Sequence, residues 1–474
     1  MPLTVDQAAS RIHNLVQDDG FLGTSRNDHL HQINDLLKQF PAADVAKIIG
    51  KLSDADLKEW ASDANSGGIF GAQGLSSGEK QDLFNGLAGQ LDGAQLGRLA
   101  GAFSGRSEAL QLADAVASHA SPDAKLGYIQ AMAGKTTDHD VDISTGWGSS
   151  TLVAVDKDAS AVSSVLSSLQ SSPAQFNRAL DSLSDDQLAA VVKAGEGERT
   201  TTQSSLTGAG AVVTTRHDPA QLRQLLDATA QAGSVQNKAR LFEAASVALK
   251  DINDSDTLLS PNLSAKDASA SVAAGMTRIM DSDTRGVVNQ LNTEDASGKA
   301  LTGYLKQLIS ENPSANNDVI GRQIAQLQGA GVSPNAVDYV NQFERDASGQ
   351  PFYRNAQNLG YYAGAAQAAI NKIAGDDKTR AEIIGNVFST TLSAATTAIT
   401  KLPVSGKIVS GLANGLSREL IREISADVAA GRKSLRDALY ELALPRTSPT
   451  AERSRGAADP FFQGAANTVV INNQ

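Results

Sequence analysis

From Val5 to about Gln130 the apolar residues recur three and four positions apart, in sets such as Leu30, Ile33, Leu36 and Leu37, then Leu83, Leu87 and Leu91, then Leu96, Leu99 and Phe103. That spacing places them on one face of a 3.6-residue helix and predicts a succession of amphipathic helices. Helix starts are marked by a small oxygen-bearing residue that accepts an orphan backbone N–H, followed three positions later by an acid or amide that reaches back. Ser53 with Asp56, Asp92 with Gln95, Ser184 with Gln187 and Asp218 with Gln221 fit this pattern. Pro122, Pro173 and Pro219 each follow a Ser or Asp, as expected of a first helical position where the missing donor costs nothing. The segments opening at Leu91, Leu183 and His217 look alike, but their irregular spacing points to similar helix starts in a globular array, not to a solenoid of fixed period.

Two stretches interrupt the helical pattern: Asp138 to Val155, and Thr200 to Thr215 with Leu206, Val212 and Val213 among Thr, Ser and Gly. They read either as strands of a small ribbon or as irregular loops. A turn cluster at Asp346-Ala-Ser-Gly-Gln-Pro351 marks a boundary, and the Pro-, Ser- and Arg-rich stretch after Arg446 reads as a fraying tail. The expected fold is therefore mainly α: a multi-helix globular array with one small β-like or loop insertion and a C-terminal helical domain containing an apolar hairpin. The expected segments are an N-terminal helical layer over 1–58 and a helical body over 59–345 with its insertion near 138–215. A C-terminal domain over 346–445 and a flexible tail over 446–474 follow.

Composition sharpens this picture. Aromatic residues make up only 4% of the 474 residues while Gly numbers 41, so the cores must be built from Ala, Leu, Val and Ile with close helix contacts. The formal charge of −11 and the absence of a long Lys/Arg run argue against a nucleic-acid partner, because binding a phosphate backbone needs a basic stripe. With no cysteine, disulfides, thiolate zinc sites and a cysteine nucleophile are all excluded. The first ten residues carry neither a basic n-region nor an apolar h-region, so a Sec signal peptide is not expected.

No H-E-x-x-H spacing, G-x-S-x-G elbow or phosphate-binding P-loop occurs, so no catalytic motif is recognisable, the question of an enzyme stays open with the balance against one, and no cofactor is expected. The remaining chemical candidates are local. Asp138, His139, Asp140 and Asp142 offer alternating metal ligands, and in an extended strand the three aspartates would share one face toward a hard cation. The run lacks the glycine turn and distal glutamate of a calcium loop and reads equally as a solvated acidic loop. Glu196 and Glu198, at a helix end, are the catalytic candidates for a paired-carboxylate hydrolase, against the plainer reading of a charged helix terminus.

Between Ile383 and Ser417 the only charges are Lys401 and Lys407. Ile383 to Thr400 is about the minimum length for a helix that crosses a bilayer, although rich in Thr and Ser. A turn at Leu402-Pro-Val-Ser-Gly406 then leads into Lys407 to Leu416, so the whole reads as a helical hairpin. Its membrane-inserting candidates are Ile383, Ile384, Val387, Phe388, Leu392, Ile399, Ile408, Val409, Leu412 and Leu416. The amphipathic segment Arg418 to Leu444 could cover such a hairpin in the folded protein. The alternative is a hairpin that serves as ordinary core, since small-residue helix packing suits both environments.

The run Asn355-Ala-Gln-Asn-Leu-Gly-Tyr-Tyr-Ala-Gly364, followed by an Ala-rich helix and the hairpin, resembles the C-terminal region of large secreted effector proteins of proteobacteria. Leu75-Ser-Ser-Gly-Glu79 through Leu96 to Phe103, and Asn237-Lys-Ala-Arg-Leu-Phe-Glu-Ala-Ala245, are similar to other parts of such proteins. The resemblance implies cargo of a type III or type VI system, exported without a Sec signal into a target cell. It implies as partners a secretion apparatus or chaperone and a target-cell membrane or host protein. The expected function is an effector that perturbs a membrane through its C-terminal hairpin. The alternatives are a non-catalytic interaction or delivery protein, a hydrolase, and residence in the bacterial cytoplasm.

Overall fold

The computed structural model describes residues 3–18, 26–65, 75–136, 141–146, 149–154, 156–204, 211–255, 264–311, 313–333, 336–374, 379, 382–385, 387, 423–424, 426–428, 430–443 and 449–474. The protein is mainly α, a multi-helix fold with a few short strands. Its contacts divide it into one unit of Met1–Asn237 with Asp254–Ala265, and a second of Lys238–Asn253 with Lys266–Gln474. This division differs from the segmentation expected at 58, 345 and 445.

The first unit runs through α1 (Val5–Gln17), α2 (Arg26–Leu37), α3 (Ala42–Lys51), α4 (Asp54–Asn65), α5 (Ser77–Ala88), α6 (Gly93–Phe103), α7 (Ser107–His119) and α8 (Pro122–Met132). It continues with β1 (Val141–Gly146), β2 (Ser149–Ala154), α9 (Lys157–Ser167), α10 (Pro173–Asp181), α11 (Asp185–Gly195), β3 (Arg199–Ser204), β4 (Ala211–Arg216) and α12 (Ala220–Ala232). Helices here pack on the one after the next: α1 on α3, α4 on α6, α5 on α7, α6 on α8, α7 on α9 and α9 on α11. Glycine permits the closest of these approaches. A Cβ on Gly93 of α6 would lie 2.7 Å from the Cα of Gly127 on α8, so both positions must lack a side chain.

The capping boxes read from the sequence at Asp92/Gln95 and Ser184/Gln187 are formed, as is the reciprocal pair of Ser53 and Asp56. Asp218 and Gln221 form none. Pro219 is itself the N-cap of α12, and the Gln221 amide instead donates to the Ser160 carbonyl at 2.6 Å. The Asp218 N–H, which a capping box would give to Gln221, is donated to the carbonyls of Glu196 and Gly197.

The two interrupting stretches do pair. The four strands form one antiparallel sheet in the order β1-β2-β3-β4, with Val141 opposite Ala154, Leu152 opposite Thr200 and Arg199 opposite Arg216. Three helices, α9 to α11, separate β2 from β3 in the chain, so this contact is one that no local turn signal announces.

The second unit contains most of α13 (Val235–Asp254), then α14 (Ala265–Ser282), α15 (Thr284–Glu294), α16 (Lys299–Glu311), α17 (Pro313–Leu327) and α18 (Ala336–Val340). A two-stranded ribbon, β5 (Glu344–Arg345) with β6 (Pro351–Phe352), leads to α19 (Arg354–Ile373), and α20 (Leu435–Ala443) and α21 (Pro449–Asn472) complete it. The turn cluster expected to divide domains is the hairpin of this ribbon. The Asp346 carboxylate accepts the N–H groups of Ser348 and Gln350, and Gly349 supplies the positive φ of 80°.

Helix α19 is the centre of the unit. It packs against α15, α16, α17, α18, α20 and α21 and is buried almost from end to end. Its few polar groups are satisfied: the Tyr361 hydroxyl donates to the Asp295 carbonyl, the Tyr362 hydroxyl donates to Gln323 Oε1, and Gln367 Oε1 accepts the N–H of Leu435. The fraying tail expected from 446 is corrected by α21. Ala458, Phe462, Ala466 and Val469 form a buried stripe of helical spacing along it, and Gly360 and Gly364 of α19 admit the α21 backbone at Phe462 and Ala466. The stripe is weakly apolar, which is why composition alone reads as a tail.

One carboxylate ties two N-terminal helices, α1 and α4, together. Asp56 accepts from Ser53 at the start of α4, and also contacts His13 at 2.7 Å and Gln17 at 3.3 Å, both on α1. Burial pushes its pKa up, but these hydrogen bonds together outweigh burial and hold it below the ordinary 3.8. A lowered native pKa gives stability that is present above the unfolded value and lost as pH falls through the native one. Asp56→Asn should therefore cost about 1–2 kcal/mol at neutral pH. The difference from wild type should shrink toward zero at about pH 2, read by urea unfolding at both pH values. An equal loss at both would show that charge is not what Asp56 contributes.

Candidate functional site

The most concentrated chemistry in the first unit lies where α11 runs into β3. Helix α11 ends at Gly195, where a Cβ would press on Leu222 of α12 at 3.1 Å. Two residues later Gly197 takes a φ of 61°, with the Asp218 carbonyl lying against the face where a side chain would project. Only glycine suits such a position, both for its left-handed backbone and for the close approach. The Asp218 N–H then donates to the carbonyls of Glu196 at 3.0 Å and Gly197 at 3.2 Å. Glycine spacing therefore clamps the end of α11 onto the residues just after β4.

The clamp gathers Glu196, Glu198 and His217. Their ligand atoms lie within 4.8 Å of one another, and among the described residues this is the group able to hold a metal ion. His217 Nε2 stands 3.9 Å from a carboxylate oxygen of each glutamate. Lys193, one turn earlier on α11, bonds Glu196 at 2.9 Å and Glu198 at 3.3 Å. The side chains of Glu196 and His217 are each 1% exposed, whereas Glu198 is 30% and Lys193 45% exposed. The site therefore has a buried floor and a wet rim. The His217 N–H donates to Ser264 Oγ at 2.6 Å, which fixes the backbone that carries the imidazole.

This arrangement has two chemical uses. As it stands, the Lys193 ammonium bridges the two carboxylates in a charge cluster at the end of α11. With Lys193 swung toward solvent, two carboxylates and an imidazole offer an O,O,N donor set to a divalent ion. Ligands around a tetrahedral zinc stand about 3.4 Å apart, so a set spaced at 3.9 Å from His217 and within 4.8 Å overall must draw together to hold one.

Glu196 and Glu198 are thus brought together, but with His217 as a third member. By sequence, His217 stands only at the opening of a helix-start segment. The β3–β4 register, Arg199 opposite Arg216, places residues 198 and 217 next in line across the ribbon, and this was the signal available. The other metal candidates are not brought together among the described residues. Asp138, His139 and Asp140 lie outside them, and Asp142 stands opposite Val153 in the β1–β2 ladder.

Of the membrane candidates, Ile384 and Val387 are buried and Ile383 is partly exposed. Phe388, Leu392, Ile399, Ile408, Val409, Leu412 and Leu416 lie outside the described residues. Among the described residues, no helix is long and apolar enough to cross a membrane. Of the expected cover, Ile424, Val428 and Leu435 are buried. Compared with known proteins, the chain matches no family model and no curated protein.

Proposed function

We propose that the protein is a bacterial effector delivered into a target cell by a contact-dependent secretion system, and that its second unit perturbs the target membrane. The observation that carries this reading is the setting of α19. This Ala-rich helix is buried among amphipathic neighbours, and the chain leads from it into a run, Ile383 to Ser417, whose only charges are two lysines. A protein that stores a membrane-active segment in a water-soluble form needs this kind of wrapping, because amphipathic helices can exchange a protein core for a lipid interface. Thr and Ser hydroxyls in the run can bond back to helix carbonyls, which lowers the cost of taking them into lipid.

The test is dye release from anionic liposomes between about pH 4.5 and 7.5, the range over which carboxylates and histidines gain protons. Acid reduces the negative charge that repels the protein from anionic lipid, so release should increase toward the acid end. Leu392→Asp should abolish it, since Leu392 lies near the middle of Ile383 to Thr400 and a carboxylate at the middle of a span costs about 2.5–3.5 kcal/mol. No release at any pH from folded protein would sink this reading and favour a non-catalytic interaction or delivery protein.

A second reading, favoured by the Glu196, Glu198 and His217 geometry, is a divalent-cation site in the first unit that supports hydrolysis. A bound ion would polarise a carbonyl or phosphoryl oxygen, or supply hydroxide from water near neutral pH. Calorimetric titration with zinc or manganese should then show one saturable site per chain. Lys193→Met should tighten it by removing the competing ammonium, and Glu196→Gln or His217→Ala should weaken it at least about tenfold. Affinities that do not respond to these three substitutions would leave the cluster as a structural charge pair.

A further inference from the structure

The second unit contains a cleft of about 310 Å³ lined by Arg285, Gly286, Asn289, Leu327, Tyr339, Arg354, Asn355 and Asn358. Its size lies at the lower end of small-ligand sites. Its lining is unusual for a chain of net charge −11: two guanidinium groups, three carboxamides and no carboxylate.

The state of the two arginines gives this lining its meaning. Arg285, half-buried on α15, donates through Nη1 to the carbonyls of Gln326 and Ala330 at the end of α17. That contact is a helix C-cap and accounts for why an arginine stands there, but carbonyls do not neutralise it. Among the described residues, no carboxylate pairs with Arg285, and its Nε and Nη2 make no hydrogen bond. Burial raises the pKa of the Tyr339 phenol and Arg285 partly reverses the shift, so the positive charge is felt at the cleft wall.

Arg354, at the first position of α19, is partly committed. Nε meets Glu344 at 3.1 Å in an exposed pair, Nη1 meets Asn289 Oδ1 at 3.3 Å, and the guanidinium lies 5.1 Å from the centre of the Phe352 ring. Screening makes the pair with Glu344 weak. The other carboxylate close by, Asp283, is occupied as the N-cap of α15, accepting the Gly286 N–H at 3.0 Å. The start of α19 adds to the positive field. Tyr353 at its N-cap supplies no side-chain hydrogen bond, and the helix that follows is 20 residues long.

The carboxamides hold this cationic wall in place. Asn289 Oδ1 accepts from both Arg354 and Asn358, Asn358 Oδ1 accepts from Asn292, and Asn355 donates to the Tyr339 carbonyl. A wall with spare donors on two helices suits a tetrahedral dianion with three terminal oxygens better than a planar carboxylate with two. We infer that this cleft is a binding site for a phosphate monoester, carried by a soluble metabolite or by a lipid headgroup, with Arg285 and Arg354 as its cationic ligands. The inference is independent of the membrane reading, since a soluble phosphate would satisfy it alone.

The test is calorimetry on the full chain with inorganic phosphate and glycerol 3-phosphate, with acetate at matched ionic strength as a control. Co-sedimentation with phosphatidic acid vesicles, against phosphatidylcholine vesicles, adds the lipid arm. Saturable phosphate binding below about 10 mM is expected in solution or on phosphatidic acid. Arg285→Gln should weaken it about ten- to a hundredfold. Because Arg285 also caps α17, Asn289→Asp provides a second variant. It keeps the acceptor that Arg354 and Asn358 use, places a negative charge in the wall, and should remove binding while leaving thermal unfolding little changed. Binding in solution would identify a metabolite site, and binding to phosphatidic acid alone a headgroup site. Acetate binding as tight as phosphate, affinities untouched by both substitutions, or no saturable binding in either arm would overturn the assignment.

Discussion

How closely two helix backbones can approach is the constraint on which the rest of this structure depends. With few aromatic side chains to fill wide gaps, the chain narrows the gaps instead. Gly93 meets Gly127 across α6 and α8, Gly97 faces Ala131 in the same pair, and Gly360 and Gly364 of α19 meet the α21 backbone at Phe462 and Ala466. Close packing at interior density does not require large residues, only matched surfaces. The cost is intolerance, because a side chain at these glycines would strike backbone or, at Gly97, the Cβ of Ala131, and neither has a rotamer with which to yield.

The same device builds the candidate chemistry. At Gly195 and Gly197 the absence of side chains lets the end of α11 close on the residues after β4, and the carboxylates of Glu196 and Glu198 arrive beside His217 as a result. In the second unit the cationic cleft forms where the starts of α15 and α19 meet the end of α17. The tight seating of α19 against α21 holds one side of it. Packing and chemistry are therefore one problem in this molecule: small residues set the backbone paths, and the paths set which charged groups meet.

Local rules made the helices legible. The capping residues Asp92, Ser184 and Ser53 announced their helices because a side-chain cap is an interaction within four residues. Asp218 misled for the complementary reason, since its N–H is given to the carbonyls of Glu196 and Gly197, about twenty residues earlier. The sheet was only half legible. Its strands showed in the Thr- and Val-rich runs, but the β2–β3 pairing spans three helices and leaves no local mark. Glu196 and Glu198 were readable as a pair, whereas the His217 contact depends on the β3–β4 register that sets Arg199 opposite Arg216. Arg285 and Arg354 carried no signal at all, since the meeting of two arginines at one cleft is visible only in three dimensions. The 446–474 segment read as a tail because the value of its alanines and Phe462 lies in the glycines of α19, about a hundred residues earlier.

The most direct test of this account is hydrogen exchange on Gly364→Val. A Cβ at this position would lie 2.6 Å from the Ala466 carbonyl oxygen, so the two helices must separate. The account predicts a loss of about 1–3 kcal/mol in stability, with amide protection falling along α19 and α21 together while α6 and α8 keep theirs. Undiminished protection of α19 and α21 in the variant would contradict it, because the second unit would then be held together by something other than the close approach of these two backbones.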